Sequence, residues 1–189
     1  LREMMDNGKI FLVNLSKGRI GEQNAALLGA MIVTKIYLAA MSRAEVSKNN
    51  MRELPPFFLF VDEFQNFAND SFSDILSEAR KYKLNLTIAH QYIEQMEEEV
   101  RDAVFGNVGT TISFRVGPLD AEVLKKVFLP TFTAEDIVNL GKYQIYLSLM
   151  INGVGSKPFS ATNMAPLKKK SISYKTEVIE NSRRLYAHS

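Results

Sequence analysis

Apolar positions along the chain gather into short runs separated by polar, helix-like stretches. Lys9-Ile-Phe-Leu-Val-Asn-Leu15 is a run of strand formers bounded by Asn7-Gly8 and Ser16-Lys17-Gly18. It predicts a buried strand that leads through a glycine-punctuated loop into a helix. That helix, Ala25 to Met41, is the longest apolar stretch, with Thr34 and Lys35 near its centre and five alanines and one glycine among its residues. A membrane-spanning helix wants about 20 mostly strongly apolar residues, and a central lysine would cost it several kcal/mol. The stretch therefore predicts a buried helix of a soluble domain.

The alternation then repeats. Pro55-Pro56 breaks the chain, Phe57 to Val61 is a second buried strand, and Asn69-Asp70-Ser71 can cap a helix running to about Tyr82. Leu84 to Ala89 is a third strand. Glu97, Glu98 and Glu99 sit at the front of a helix that Gly106-Asn107 stops, where they complement the helix dipole. Val108 to Val116 predicts a fourth strand, Leu119–Phe128 and Thr133–Leu140 two short helices, and Tyr143 to Met150 a fifth strand. Asn152-Gly153 turns the chain back toward a short partner around Pro158 to Ala161. Strands alternating with helices predict an α/β fold built on a mostly parallel sheet with an antiparallel edge hairpin.

Composition changes this picture in three places. The 189 residues, 46% hydrophobic and 23% charged, suffice for one folded core and exclude disordered and collagen-like chains. With no cysteine, thiolate zinc sites, iron–sulfur clusters, thiol nucleophiles and disulfides are excluded, and the two histidines, His90 and His188, leave little for a histidine metal site. Charge is the third. The net +2 hides an uneven distribution, because residues 166–189 hold six bases against two acids, a local +4 that leaves −2 for the rest. We therefore divide the chain into a folded part, 1–165, and a basic polar tail, 166–189. The tail is either a solvated extension or a contact for nucleic acid or a neighbouring subunit.

Candidate chemistry concentrates where apolar strands end in polar pairs. Phe57-Phe-Leu-Phe-Val61 runs straight into Asp62-Glu63, at the carboxyl edge where open α/β sheets bind ligands. One carboxylate there can hold a magnesium ion through water while the next polarises an attacking water, the division of labour of a Walker B motif; apolar runs closing on acids also arise without function. The next strand ends in His90-Gln91. Gln91 can orient a water and sense a γ-phosphate or simply cap the strand, and His90 reads as a satisfied polar group. Arg80 closes a helix between the two strand ends, as a finger toward a neighbouring subunit or as a cation on the helix dipole. Arg115 offers the same choice between a finger and a surface ion pair. A phosphate-cradling Gly-x-x-x-x-Gly-Lys-Ser/Thr loop is absent from the sequence, so the chain alone is not expected to bind or hydrolyse ATP well.

The order of these motifs resembles a known family. Asn7 to Gly21, Phe58-Leu-Phe-Val-Asp-Glu-Phe-Gln65, Ser77-Glu-Ala-Arg-Lys-Tyr82, Leu86-Thr-Ile-Ala-His-Gln91 and Ile112-Ser-Phe-Arg-Val-Gly117 are similar to the C-terminal half of HerA/FtsK-type motors. Among these, the type IV secretion coupling proteins and conjugative DNA-transfer ATPases are the most similar. The resemblance implies a RecA-like P-loop core, a homohexamer, and ATP- and Mg2+-dependent movement of DNA or protein, at the inner face of a membrane and beside a secretion channel. By residue it implies Asp62 as the magnesium-associated aspartate, Glu63 as the catalytic glutamate, Gln91 as the sensor, Arg80 as the trans-acting finger and Arg115 as a further arginine. The family's Walker A segment precedes all of these. The expectation is thus that this chain is the downstream part of a longer ATPase that is otherwise cytoplasmic or membrane-attached. The contrasting expectation is a noncatalytic coupling module that binds secretion substrate or nucleic acid.

Overall fold

The computed structural model describes residues 1–68, 71–168 and 171–187. Two short helices, α1 (Arg2–Asp6) and α2 (Lys17–Ile20), precede the long α3 (Glu22–Met41), and α4 (Lys48–Glu53) leads to β1 (Phe57–Val61). After α5 (Ser71–Glu78) and a 3-10 turn at Ala79–Tyr82, β2 (Leu84–Ile88) lies parallel to β1 in the register Phe57 to Leu84 through Val61 to Ile88. The proposed cap at Asn69-Asp70 lies outside the described residues. Alternate side chains of the pair face the core, so Leu59, Val61, Leu84, Leu86 and Ile88 are covered while Phe58 and Phe60 stand out with exposures of 58% and 72%. β1 is thus buried on one face, not on both as its unbroken apolar sequence predicts, because an all-apolar strand carries no record of which face is covered.

Downstream come α6 (Glu98–Asn107), β3 (Thr111–Ser113), α7 (Pro118–Phe128), α8 (Ala134–Val138) and β4 (Gln144–Ser148). Thr133 caps α8, accepting from the Asp136 N–H while the Asp136 carboxylate accepts from the Thr133 N–H. β5 (Met150–Ile151) and β6 (Val154–Gly155) form a hairpin whose turn, Asn152-Gly153, has positive φ at both residues. β7 (Phe159–Thr162) returns beside β4. Among the described residues the strands do not form one mostly parallel sheet but three small ones, β1–β2, β3–β4–β7 and β5–β6. Of these, β1–β2 is a parallel pair, whereas β3–β4, β4–β7 and β5–β6 are antiparallel. Parity explains the difference: one helix between strands restores the strand direction, as between β1 and β2, whereas two helices, α7 and α8, reverse it between β3 and β4.

Lys9–Leu15 forms no strand. Ile10 and Leu12 are 85% and 78% exposed, and strand propensity without a ladder partner leaves backbone groups to water. α3 also differs from expectation. One face, with Ala25, Val33, Ile36, Tyr37 and Ala40, joins the core, but Leu27, Met31 and Leu38 on the other are more than half exposed. By length and composition alone, Glu22–Glu45 would pass for a membrane span.

The core itself joins α3, α5, α6, α7 and the inner face of the parallel pair around Phe64, Phe72, Ile75, Val100, Leu124 and Phe128. Arg43 is fully buried beside it. Its Nε donates to Asp6 Oδ1 and its Nη1 to the Tyr82 carbonyl, both at 2.9 Å, tying the chain's start to the loop before β2. Burial by itself would raise the Asp6 pKa, but hydrogen bonds from Arg2 and Arg43 outweigh it and hold the carboxyl below its usual range. In the tail, α9 (Lys175–Tyr186) buries no residue; Lys169, Lys170 and His188 lie outside the described residues.

Candidate functional site

The C-terminal ends of β1 and β2 are joined beyond the ladder itself. Ala89 N–H donates to the Val61 carbonyl and Phe64 N–H to the Ala89 carbonyl, each at 2.9 Å, so the segments carrying Asp62-Glu63 and His90-Gln91 leave the sheet side by side. Phe64 then drops into the core, fully buried and edge-to-face against Phe72 at 4.6 Å. Phe67 packs over Gly29 of α3, where a Cβ would lie 2.2 Å from its ring. Only glycine leaves room for that approach. Anchored at both positions, the chain between them turns tightly as a 3-10 turn at Phe64–Asn66, and Glu63 takes up a left-handed conformation with φ 51°. A non-glycine residue in this region costs of order 1 kcal/mol and persists only where its surroundings hold it.

Those surroundings are polar amides. Gln65 Nε2 donates to Glu63 Oε2 at 2.7 Å, and Gln91 Nε2 donates to Glu63 Oε1. Asn66 Nδ2 holds the Glu63 carbonyl at 3.0 Å, and Lys17 Nζ donates to Asn66 Oδ1 at 3.0 Å while pairing with Glu22. The exposed Asp62 uses Oδ1 to accept from the Glu63 N–H at 3.0 Å. Glu63 and Gln91, 28 residues apart in sequence, are therefore in contact, and Asp62 is their neighbour.

The two arginines are placed differently. Arg80 lies in the turn before β2, at the opposite end of the pair from Glu63, a strand length of about 16 Å away. It is exposed, and among the described residues it has no ion-pair partner. Arg115 follows β3 on the wall of a crevice of about 1180 Å³ between the end of β2 and β3, which Gln91 and Thr110 also line. His90 faces the same crevice. Its Nδ1 is buried with no protein partner, and burial pushes the ring's pKa down while the charge of Asp120 opposes the shift. The buried Asp120 is occupied elsewhere, accepting from the Ile93 and Glu94 N–H groups.

Sequence reasoning missed Gln65, Asn66 and Lys17 as parts of this arrangement. The first two stand two and three residues after Glu63, which was the available signal; Lys17 arrives only through folding.

Magnesium is held by one or two carboxylates together with water and substrate phosphates. Asp62, exposed and with one oxygen uncommitted, fits that mode. An all-protein cage does not fit, because no group of three or more potential ligands occurs among the described residues.

Comparison with known proteins places this geometry in a family context. Residues 56–127, which contain Asp62, Glu63, Arg80, Gln91 and Arg115, match the family model described as the TraM recognition site of TraD and TraG. Solved structures of a plasmid conjugative coupling protein, TrwB, share the fold. The form with the ATP analogue ADPNP aligns at TM-score 0.61 and 15% identity over 86% of this chain and 42% of that one. The unbound form aligns at 0.57 and 13%, over 78% and 40%, and the ADP–Mg2+ complex at 0.51 and 15%, over 66% and 35%. No curated protein matches the sequence. The chain thus resembles this family over residues 56–127, shares the fold of the TrwB coupling protein structures, and spans about two fifths of the length of the structures it matches.

Proposed function

We propose that this chain is the Walker B-bearing part of an ATP-driven motor of the type IV secretion or conjugation kind, which moves DNA or protein as its cargo. The observation that carries the reading is the contact between Glu63 and Gln91 across two parallel strand ends, in a fold similar to coupling proteins whose structures hold ADP–Mg2+ or ADPNP. Bound ATP and Mg2+ supply the phosphoanhydride and the charge neutralisation. Asp62 would hold the cation, through water as magnesium prefers. Glu63 accepts the proton of the attacking water as the new oxygen–phosphorus bond forms and the bond to ADP breaks. Gln91 orients that water through its amide.

Arg80, free at the far end of the strand pair, serves the nucleotide of the next subunit in a homohexamer, and Arg115 is a second cation on the Gln91 side. The nucleotide's phosphates need a glycine-rich loop from elsewhere in the full-length polypeptide, which works on the cytoplasmic side of the membrane with secretion-channel partners. A second reading, a noncatalytic module that docks a relaxosome protein, draws support from the match to a TraM recognition site. DNA-stimulated ATP hydrolysis by the full-length polypeptide separates the two. The motor reading expects turnover that rises with DNA; binding of partner protein or DNA with no turnover would favour the docking module.

A further inference from the structure

Both oxygens of the Glu63 carboxylate are held by side-chain amides, and the two amides are not equivalent. Gln91 reaches Oε1 from the end of β2, a separate element, and is exposed. Gln65 reaches Oε2 from within the same turn, two residues along, at 2.7 Å. That turn is fixed on both sides of Gln65, by the buried Phe64 ring and by Asn66, whose Nδ2 holds the Glu63 carbonyl. The Gln65 amide is committed to Glu63 alone, since its Oε1 is buried with no protein partner. Turning it over would set that oxygen against the carboxylate, so Nε2 faces Glu63 on electrostatic grounds.

We infer that Gln65 is the positioning residue of Glu63. It holds Oε2 in place and leaves Oε1 as the oxygen that exchanges Gln91 for the attacking water. Gln65 bonds Oε2 alone, so the lone-pair sites of Oε1 stay open to Gln91 or water. What it removes is rotation of the carboxylate about its terminal bond, which is broad and soft when unheld. Gln91 can then swing to substrate without releasing the base. The inference rests on the reading of Glu63 as the proton acceptor.

The test uses the full-length polypeptide and measures kcat and KM for ATP with DNA present, affinity for a non-hydrolysable ATP analogue, and the melting temperature. Gln65→Met keeps the side chain's length and removes the donor. It should lower kcat roughly tenfold, the scale on which small misplacements of a catalytic group act. KM, analogue affinity and melting temperature should stay near wild type. In a Glu63→Asp background, whose carboxylate is one methylene too short for Gln65 to grip, the same change should alter kcat by less than about twofold. Wild-type kcat in Gln65→Met, or an equal loss in both backgrounds, would overturn the positioning role while leaving Glu63's own assignment standing. Undiminished turnover in Glu63→Gln would overturn that assignment, and the positioning role with it.

Discussion

The two ends of the β1–β2 pair are built on opposite plans. At the carboxyl end Glu63 is held from several sides: Gln65 and Gln91 hold its carboxylate, Asn66 its carbonyl, and Lys17 holds Asn66. At the amino end the cations divide. Arg43 is sealed inside against Asp6 and the Tyr82 carbonyl, and Lys83 Nζ donates to the Arg52 and Leu54 carbonyls at 2.7 Å, closing the end of α4. Between them Arg80 stands exposed and uncommitted. A polar group knotted into backbone carbonyls is doing structural service, whereas a guanidinium left in water beside two such knots is available to another molecule. The difference teaches which cation to assign to a neighbour.

The largest effect should come from removing the anchor of the carboxyl end. Phe64→Ala deletes a fully buried ring and should cost about 3–5 kcal/mol of stability, read as a lowered midpoint in chemical denaturation. It should also release Glu63 from its left-handed backbone; a variant as stable as wild type would show that Phe64 does not hold that end.

Next in size, Asp6→Asn leaves the buried Arg43 without its counter-ion and should cost roughly 3 kcal/mol. The same pair has a pH signature. Because the folded Asp6 pKa lies below the unfolded one, its contribution is complete above the ordinary value of 3.8 and is lost as pH falls through the lower folded value. Acid titration of stability should therefore be shallower in Asp6→Asn. An unchanged acid limb would remove Arg43 and Asp6 from the structural side of the comparison.

The smallest effect on stability should be that of Arg80→Ala, within about 0.5 kcal/mol for an exposed side chain. Its consequence should be functional: mixed with wild-type full-length polypeptide, the variant should depress turnover by more than its own share if the proposed homohexamer forms. Strict proportionality would mean that Arg80 does not act on a neighbouring subunit.

These contrasts mark how far the sequence could be read. Phe57–Val61 and Leu84–Ala89 were legible because apolar runs ending in Asp62-Glu63 and His90-Gln91 have few alternatives to buried strands with polar tips, and parallel pairing puts the tips together. Lys9–Leu15 has the same propensity but no ladder, and pairing is set by tertiary neighbours. The antiparallel β3–β4 pairing was within reach, since both helices between the strands, Leu119–Phe128 and Thr133–Leu140, were read from the sequence and two helices reverse the strand direction. Arg43 follows a long helix and reads as an ordinary surface cation. Its burial depends on Asp6, 37 residues away. Within the site, Glu63 and Gln91 were visible in the sequence as polar strand tips, but the grip of Gln65 on Glu63 required the backbone to enter the left-handed region, which no residue preference at Glu63 announces.

In the proposed motor, Glu63, held between two amides, takes the proton when ATP is hydrolysed. Steady-state turnover of the full-length polypeptide with DNA, wild type against Glu63→Gln, tests it most directly, with analogue affinity measured on the same preparations. The account predicts that the variant binds the analogue as wild type does and loses at least about a hundredfold in kcat, the lower end of what general-base catalysis contributes. Equal turnover in the two proteins would contradict it.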